Sequence, residues 1–168
     1  MNLSRLIGVC AAFVLLANVG CSKTPAENGT FTTSSASATA TGEYNRVDID
    51  SVERMSIEDG KLVLHGTGKS VTLDLPPNAD PDQKNRGWAL VTEGEGDGSR
   101  TLTFTQENSL EDFSVTLPAA NGRVAYGSLG GRDGRDVVLF AYGSGNKAYW
   151  GFANIEKKGS GTNKGIRD

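Results

Sequence analysis

The chain has few of the residues that build catalytic and metal sites. Its 168 residues include one histidine, His65, and two cysteines, Cys10 and Cys21. A Ser-His-Asp triad would have to use His65, and no G-x-S-x-G elbow is present to hold the serine. Zinc sites need several His, Cys or carboxylate ligands, so the same scarcity argues against zinc. We expect a protein that is not an enzyme and holds no cofactor.

Helical periodicity and an excess of positive charge are also missing. No segment shows a sustained 3.6-residue period, and 22 glycines make the chain rich in turns. The formal net charge is -3. A nucleic-acid partner would require a cationic face, so this mild acidity argues against one and leaves room for a basic protein partner.

The chain also lacks an apolar run long enough to cross a bilayer. Residues 6–17 are apolar, but a transmembrane helix needs about 20 such residues. The run follows a single cation, Arg5, and ends at Asn18. This layout is typical of a signal peptide, and we predict that residues 1–20 are removed after export.

A cysteine stands directly after this segment, in the dipeptide Gly20-Cys21. The pattern resembles the lipobox of bacterial lipoproteins, although Asn18 occupies a position where that family usually has Leu. The resemblance implies a lipid on Cys21, which becomes the mature N-terminus, and Ser22 after it implies sorting to the outer membrane, facing the periplasm. Cys10 would leave with the leader, so the mature chain would contain no intramolecular disulfide.

Composition divides the remainder into three parts. Residues 21–42 are mostly Ser, Thr, Ala, Gly and Asn, so we predict that they form a flexible tether behind the lipidated Cys21. Residues 43–156 show regular apolar patterning and form the predicted β-domain. Residues 157–168 are polar and glycine-rich, typical of a frayed tail.

Alternation of apolar and polar residues dominates the predicted domain. It is clearest in "SVTLDLP", "RTLTFTQ" and "DFSVTLP", whereas "VVLFAY" is apolar on both faces, which indicates a central strand. We predict an all-β fold, an antiparallel meander of about eight or nine strands that forms a small barrel or a two-sheet sandwich. The other predicted strands cover residues 54–58, 61–65, 88–92, 123–128, 137–142 and 147–155.

Two loops place carboxylates among glycines. The first contains Glu93, Glu95 and Asp97, and the second contains Asp133 and Asp136. Neither has the spacing of a calcium-binding loop, and arginines alternate with the acids of the second loop. We interpret both as solvated hairpin turns, with calcium as the alternative.

Aromatic residues concentrate in "FAYGSGNKAYWGF", residues 140–152. Tyrosine together with Ser, Gly and Asn is typical of adaptable protein-binding surfaces. The candidate partner-binding residues at this hairpin are Tyr142, Ser144, Gly145, Lys147 and Tyr149. The alternative is that these aromatic residues belong to an ordinary core.

The hairpin resembles the S-G-x-x-Y loop of bacterial periplasmic lysozyme inhibitors, with Ser144, Gly145 and Tyr149 at the matching positions and the tyrosine one residue late. The resemblance implies a lipid-anchored periplasmic protein that captures or inhibits a protein partner, such as a lysozyme or a toxin. The alternatives are a structural or assembly component of an envelope complex and, less favoured by the missing catalytic residues, a small hydrolase.

The lipid on Cys21 is directly testable. Cells that express the full chain should incorporate labelled palmitate into it, and Cys21→Ala should abolish the label because the thioether has no other attachment site. The Ser22→Ala chain, altered one residue further on, is the matched control and should remain labelled. Unchanged labelling of Cys21→Ala would refute the anchor.

Overall fold

A computed structural model describes residues 27–96, 99–107, 109, 111–118, 122–144 and 147–158. The predicted leader, Cys21 and residues 159–168 of the predicted tail lie outside this range. In the part of the chain that is described, no helix combines the length and apolarity required to cross a membrane.

The described residues form twelve strands, and every pairing between them is antiparallel. The prediction of an all-β antiparallel fold is confirmed. In chain order the strands are β1 (Asn28–Ser34), β2 (Ala38–Val47), β3 (Arg54–Glu58), β4 (Lys61–His65), β5 (Ser70–Asp74), β6 (Ala79–Lys84), β7 (Trp88–Gly96), β8 (Ser99–Gln106), β9 (Asp112–Pro118), β10 (Val124–Gly131), β11 (Asp136–Ser144) and β12 (Lys147–Lys157).

These strands form three open sheets stacked in layers. The central sheet has the order β1-β2-β12-β11-β10-β6, and the two outer sheets are β3-β4-β5 and β7-β8-β9. One core cluster joins the β7–β9 sheet to the central sheet, and a second joins the β3–β5 sheet to residues on the opposite face of the central sheet. The architecture is thus a sandwich with a third layer, and the barrel alternative does not form.

Strand β11 supplies side chains to both cores. Val138, Phe140 and Tyr142 belong to the cluster on the β7–β9 side, whereas Val137 and Leu139 belong to the cluster on the β3–β5 side. Alternate residues of a strand point to opposite faces, so a run that is apolar at every position must lie between two layers. The prediction of a central strand in "VVLFAY" is confirmed.

The flexible tether predicted for residues 21–42 is wrong from residue 28 onward. Strand β1 and the first half of β2 occupy this segment, and Ala38 and Ala40 are fully buried. Small side chains suffice here because the strands are held by long-range pairing, β2 lying along the whole of β12. The close approach requires glycine at position 42, where a Cβ would lie 1.9 Å from the backbone oxygen of Phe152.

The simple meander also needs correction. Neighbours in sequence pair within β3–β5, β7–β9 and β10–β12, but β2 pairs with β12 and β6 pairs with β10. Strand β6 has the sequence "ADPDQK" and lies within residues 76–87, a segment that the sequence predicts as a loop between strands. Proline is tolerated there because β6 is an edge strand.

Substitution of Phe31 tests whether β1 is a packed strand or a tether. Its ring packs 6.3 Å from that of Phe140, and it is partly buried against the core. Phe31→Ala should lower the free energy of unfolding by about 1–3 kcal/mol, measured by urea denaturation. Thr30→Ala, exposed on the same strand, should change it by less than about 0.5 kcal/mol. Equal effects would show that β1 adds nothing to stability.

Candidate functional site

Two of the predicted partner-binding residues lie in the core. Tyr142 is fully buried and Tyr149 is 2% exposed. Their rings stack 5.5 Å apart, and the Tyr142 hydroxyl donates a hydrogen bond of 3.3 Å to the backbone oxygen of Pro118. The prediction that these tyrosines are displayed at the hairpin tip is wrong, because their face of the hairpin packs against the β7–β9 sheet.

The remaining predicted residues lie at or beyond the end of this hairpin. Ser144 and Lys147 form its last described pair, and Lys147 is partly exposed. Gly145, the side chain of Ser144 and Cys21 fall outside the described residues. The structure therefore leaves Lys147 as the one described side chain of this set that solvent reaches.

His65 lies on the outer face of the β3–β5 sheet in a polar cluster. Arg54 Nη2, which can only donate, lies 3.3 Å from Nδ1, so Nδ1 accepts and Nε2 carries the proton toward Ser56 Oγ at 2.9 Å. The Ser56 hydroxyl donates to Glu58 at 2.6 Å, a bond that lowers the pKa of Glu58. A triad requires the reverse, with Nε2 accepting the serine proton. This cluster does not form one.

Two described carboxylates of the predicted acidic loops, Asp133 and Glu93, are held by cations of the protein, whereas Asp97 and the side chain of Glu95 fall outside the described residues. Asp133 accepts hydrogen bonds of 2.6 and 2.8 Å from Arg135, which lower the pKa of Asp133. Glu93 pairs with the buried guanidinium of Arg100. Among the residues that the structure describes, no three His, Cys, Asp or Glu side chains converge as a metal site would require.

Asp136 is not in a solvated turn, as predicted, but is 2% exposed. It accepts hydrogen bonds from Arg86 Nε at 3.0 Å and from Trp88 Nε1 and Gln106 Nε2 at 3.1 Å each. A buried carboxylate needs such partners to offset the loss of hydration. Its donors come from the segment before β7, from β7 and from β8, so Asp136 fastens the β7–β9 sheet to the central sheet.

Strand β10, which lies beside β11 of the hairpin, has an unpaired edge. Strand β6 pairs with β10 only at Leu129, Gly130 and Gly131. Residues 124–127 pair with β11 on one side, and no described strand pairs with them on the other. Such an edge presents free backbone donors and acceptors, which proteins normally cover or protect.

The edge is open because the chain turns away from it. Asn85 and Gly87 both have positive φ, 59° and 77°, a conformation that asparagine and glycine adopt most readily. The last contacts of this segment with β10 are at Ser128, whose backbone oxygen accepts from Asn85 N and whose hydroxyl accepts from Arg86 N, both at 2.9 Å. The chain then enters β7 in the outer sheet.

The two outer sheets form walls beside this edge. Strands β3 and β7 each contact β10, from opposite faces of the central sheet. Between β3 and β10 lies a cavity of about 200 Å³ whose lining includes Met55, Ile57, Tyr126 and Lys84. We call residues 124–127 together with this cavity the edge groove. Its lining combines these apolar side chains with the polar residues Ser56, Asn85 and Ser128.

The edge groove carries an exposed aromatic side chain, Tyr126. The large hydrophobic residues exposed in the described chain are Tyr126, at 42%, and Val91 of β7, at 55%. The Tyr126 ring is fixed by an edge-on contact with Phe104 at 5.9 Å, so it stands at the rim in a defined position. Exposed apolar side chains beside free backbone groups are typical of a protein-binding surface.

The charge of the edge groove is positive. Lys84 lines the cavity and Arg123 directly precedes the open edge, and neither forms an ion pair within the described residues. Most other cations are paired, as Lys61 is with Asp74 and Lys69 is with Asp48. On a chain of net charge -3, the groove is therefore a locally cationic site.

The outer edge of β1 is also open but has a different character. Its sequence, "NGTFTTS", is polar except for Phe31, which packs inward. Polar residues with no large exposed hydrophobic side chain are a common protection for an edge strand. Of the two open edges of the central sheet, the one on β10 is therefore the better candidate for binding.

The alternation pattern marked β10 but did not distinguish Tyr126 from a core aromatic residue. Lys84 lay in a segment predicted as a loop, and Met55 and Ile57 were assigned to a strand without a role. No sequence signal could show that β6 ends beside Ser128. The only local hint is the sequence "NRG" at residues 85–87, which is typical of a turn.

No protein-family profile, curated protein sequence or solved structure matches this chain. The chemistry of the described residues is therefore the basis for assigning a function. That chemistry consists of apolar side chains, free backbone groups and two unpaired cations at one edge.

The buried tyrosines generate a prediction about alkaline pH. Burial raises the pKa of Tyr142 and of Tyr149 above the usual 10.0. Above pH 10 the unfolded chain releases protons that the folded chain retains, so stability should fall as pH rises, by about 1.4 kcal/mol per pH unit for Tyr142. Tyr142→Phe should make this slope shallower in urea denaturation from pH 8 to 11.

The matched control is Tyr126→Phe, because the Tyr126 side chain is 42% exposed whereas Tyr142 is fully buried. It should keep the slope of the parent protein. An unchanged slope for Tyr142→Phe would contradict the burial of the Tyr142 hydroxyl.

Proposed function

We propose that this protein is a lipid-anchored, non-enzymatic binding protein of the bacterial envelope, which captures a protein partner at the edge groove. The observation that carries the proposal is the open edge of β10, with exposed Tyr126 and an apolar cavity beside it. Free backbone groups and apolar pockets together are what a protein segment needs for binding. A small polar substrate would find no converging catalytic groups in this groove.

The anchor part of the proposal is supported by the sequence around Cys21 and constrained by the fold. Strand β1 begins at Asn28, seven residues after Cys21, so the intervening chain reaches at most about 25 Å. Asn28 pairs with Asn45, which pairs with Trp150, so the start of β1 lies near the end of the sheet that carries the β11–β12 hairpin tip. A lipid on Cys21 would hold that end of the domain close to the membrane.

The burial of the two hairpin tyrosines favours the edge groove over the hairpin as the binding site. The groove lies at the same end of the central sheet as the hairpin tip, since Ala125 pairs with Ala141 and Ala141 pairs with Trp150. It is separated from the anchored strand β1 by three strands in the sheet order β1-β2-β12-β11-β10.

The inhibitor version of this function would also use the groove. In the S-G-x-x-Y comparison, Tyr149 supplies the aromatic residue that enters a lysozyme cleft, but here it is 2% exposed. Insertion of this hairpin would require removal of Tyr149 from the core. If the partner is a lysozyme or a toxin, we propose that it binds at Tyr126 and Lys84.

Photocrosslinking in cells tests the proposed site. A benzoylphenylalanine residue in place of Tyr126 should give one discrete adduct with a protein partner, because an aromatic ring is accommodated there. The same residue in place of Thr72, exposed on the outer face of the β3–β5 sheet, is the control and should give none.

The adduct from position 126 should weaken in the Lys84→Glu background and persist in the Lys147→Glu background, which separates the groove from the hairpin tip. The proposal is wrong if position 126 yields no adduct while a reporter near Lys147 does. Mass spectrometry of the adduct would identify the partner and show whether it is a single stoichiometric envelope component.

A further inference from the structure

We infer that the partner contributes an extended acidic segment, which adds to the central sheet as a strand on the open edge at residues 124–127. This inference rests on the proposed function and names the class of partner that the edge groove accepts. Three features of the groove carry it: the free backbone of β10, the walls on both sides of it and the unpaired cations at its two ends.

The backbone provides the first part of the recognition. Strand β10 lies beside β11 over residues 124–130, and β6 covers only the last part of its outer side. The open residues present about 13 Å of strand edge. A partner segment in extended conformation would form the hydrogen bonds that β6 makes further along the same strand.

The walls provide the second part. Successive side chains of an added strand point to opposite faces of the sheet. On one face they would contact Met55 and Ile57, and on the other they would contact Tyr126, whose ring packs against Phe104 of the β7–β9 sheet. The Met55 side chain already lies beside Gly127, since a Cβ on that glycine would be 3.9 Å from Met55 Cε. The groove therefore selects apolar side chains at alternate positions on both sides.

The charges provide the third part. Arg123 precedes the open edge and Lys84 pairs with Leu129 just beyond it, so a cation stands at each end. The nearest carboxylate on β3, Glu58, is engaged by Ser56 on the outer face of its sheet. Acidic side chains at the ends of an added segment would find two cations that form no ion pair among the described residues, since Asp82, two residues before Lys84 on β6, is not paired with it.

Other occupants fit less well. A second copy of the chain, paired through its own β10 edge, would bring Arg123 and Lys84 of one protomer against the same cations of the other. The termini of this chain start from the far side of the central sheet, where Lys158 bonds to Ser34 and to the backbone oxygen of Ser35. An acidic segment of a different protein is the occupant that the charges favour.

A defined peptide tests the inference without knowledge of the partner. The probe is a fluorescein-labelled peptide of eight residues with alternating valine and glutamate, and its counterpart has lysine in place of glutamate. In fluorescence anisotropy with the full-length protein in mild detergent, the acidic peptide should bind at least about tenfold more tightly than the basic one. Its affinity should fall as salt is added.

Two further measurements test whether the peptide pairs with the backbone of β10. N-methylation of alternate residues on one edge of the acidic peptide should abolish binding, because it removes the donors that face β10. Amide exchange of the protein should slow at residues 124–127 when the peptide is bound, whereas the amides of the other open edge, β1, should be unchanged. Equal protection at both edges would overturn the assignment of the site.

Two variants, each of which replaces a cation with glutamate, test whether Lys84 itself contributes to peptide binding. Lys84→Glu should weaken the acidic peptide about tenfold. Arg132→Glu should not, because Arg132 lies in the turn after β10 and lines a different cavity, beside Asp74 and Pro76. Equal weakening by both variants would mean only a diffuse charge effect and would overturn the inference.

The outcomes separate this inference from the proposed function. A partner crosslinked at position 126, together with no preference between the acidic and basic peptides, would leave the function standing and remove the acidic segment. Binding of the acidic peptide, together with no crosslinked partner in cells, would support the acidic segment and contradict the proposed function. A dimer in analytical ultracentrifugation that Tyr126→Ala dissociates would assign the edge to a second copy and overturn the inference.

Discussion

The burial of β11 on both faces is the constraint on which the other layers depend. An ordinary half-buried strand supports one packed layer, because only alternate side chains are apolar. In β11 the run Val137–Tyr142 is buried at every position, so it anchors one core toward the β7–β9 sheet and another toward the β3–β5 sheet. The two outer sheets do not share a core, and each is held through the central sheet.

The edge groove is a consequence of this layering. Because one outer sheet covers each face, β3 and β7 come to lie on either side of β10. Because Asn85 turns the chain out of the central sheet beside Ser128, the remainder of that strand edge is left between two walls. The groove therefore needs no special loop. It forms where the two outer sheets pack against the central sheet beyond the end of β6.

The sequence predicted the nine strands whose apolar residues alternate or run continuously, and the structure contains all of them. It did not predict β1, β2 and β6, whose residues are small or polar and whose pairing is fixed by distant strands. It also could not tell which face of the aromatic hairpin is accessible. Tyr149 packs inward, because the β7–β9 sheet covers the face of β12 that carries it. Pairing between distant strands decides whether these segments become strands and which face of the hairpin is buried. Such pairing produces no pattern in the local sequence.

The pairing of β2 with β12 also sets the order in which the domain can fold. The partners are Ala38–Val47 and Lys157 back to Ala148, so the central sheet cannot close until nearly the whole domain has been synthesised. Contacts at such long sequence separation slow folding. Until then "VVLFAY" would be an exposed apolar segment without proline or charge, a composition that promotes aggregation. A chain that ended before β12 would leave this segment without its partner strand.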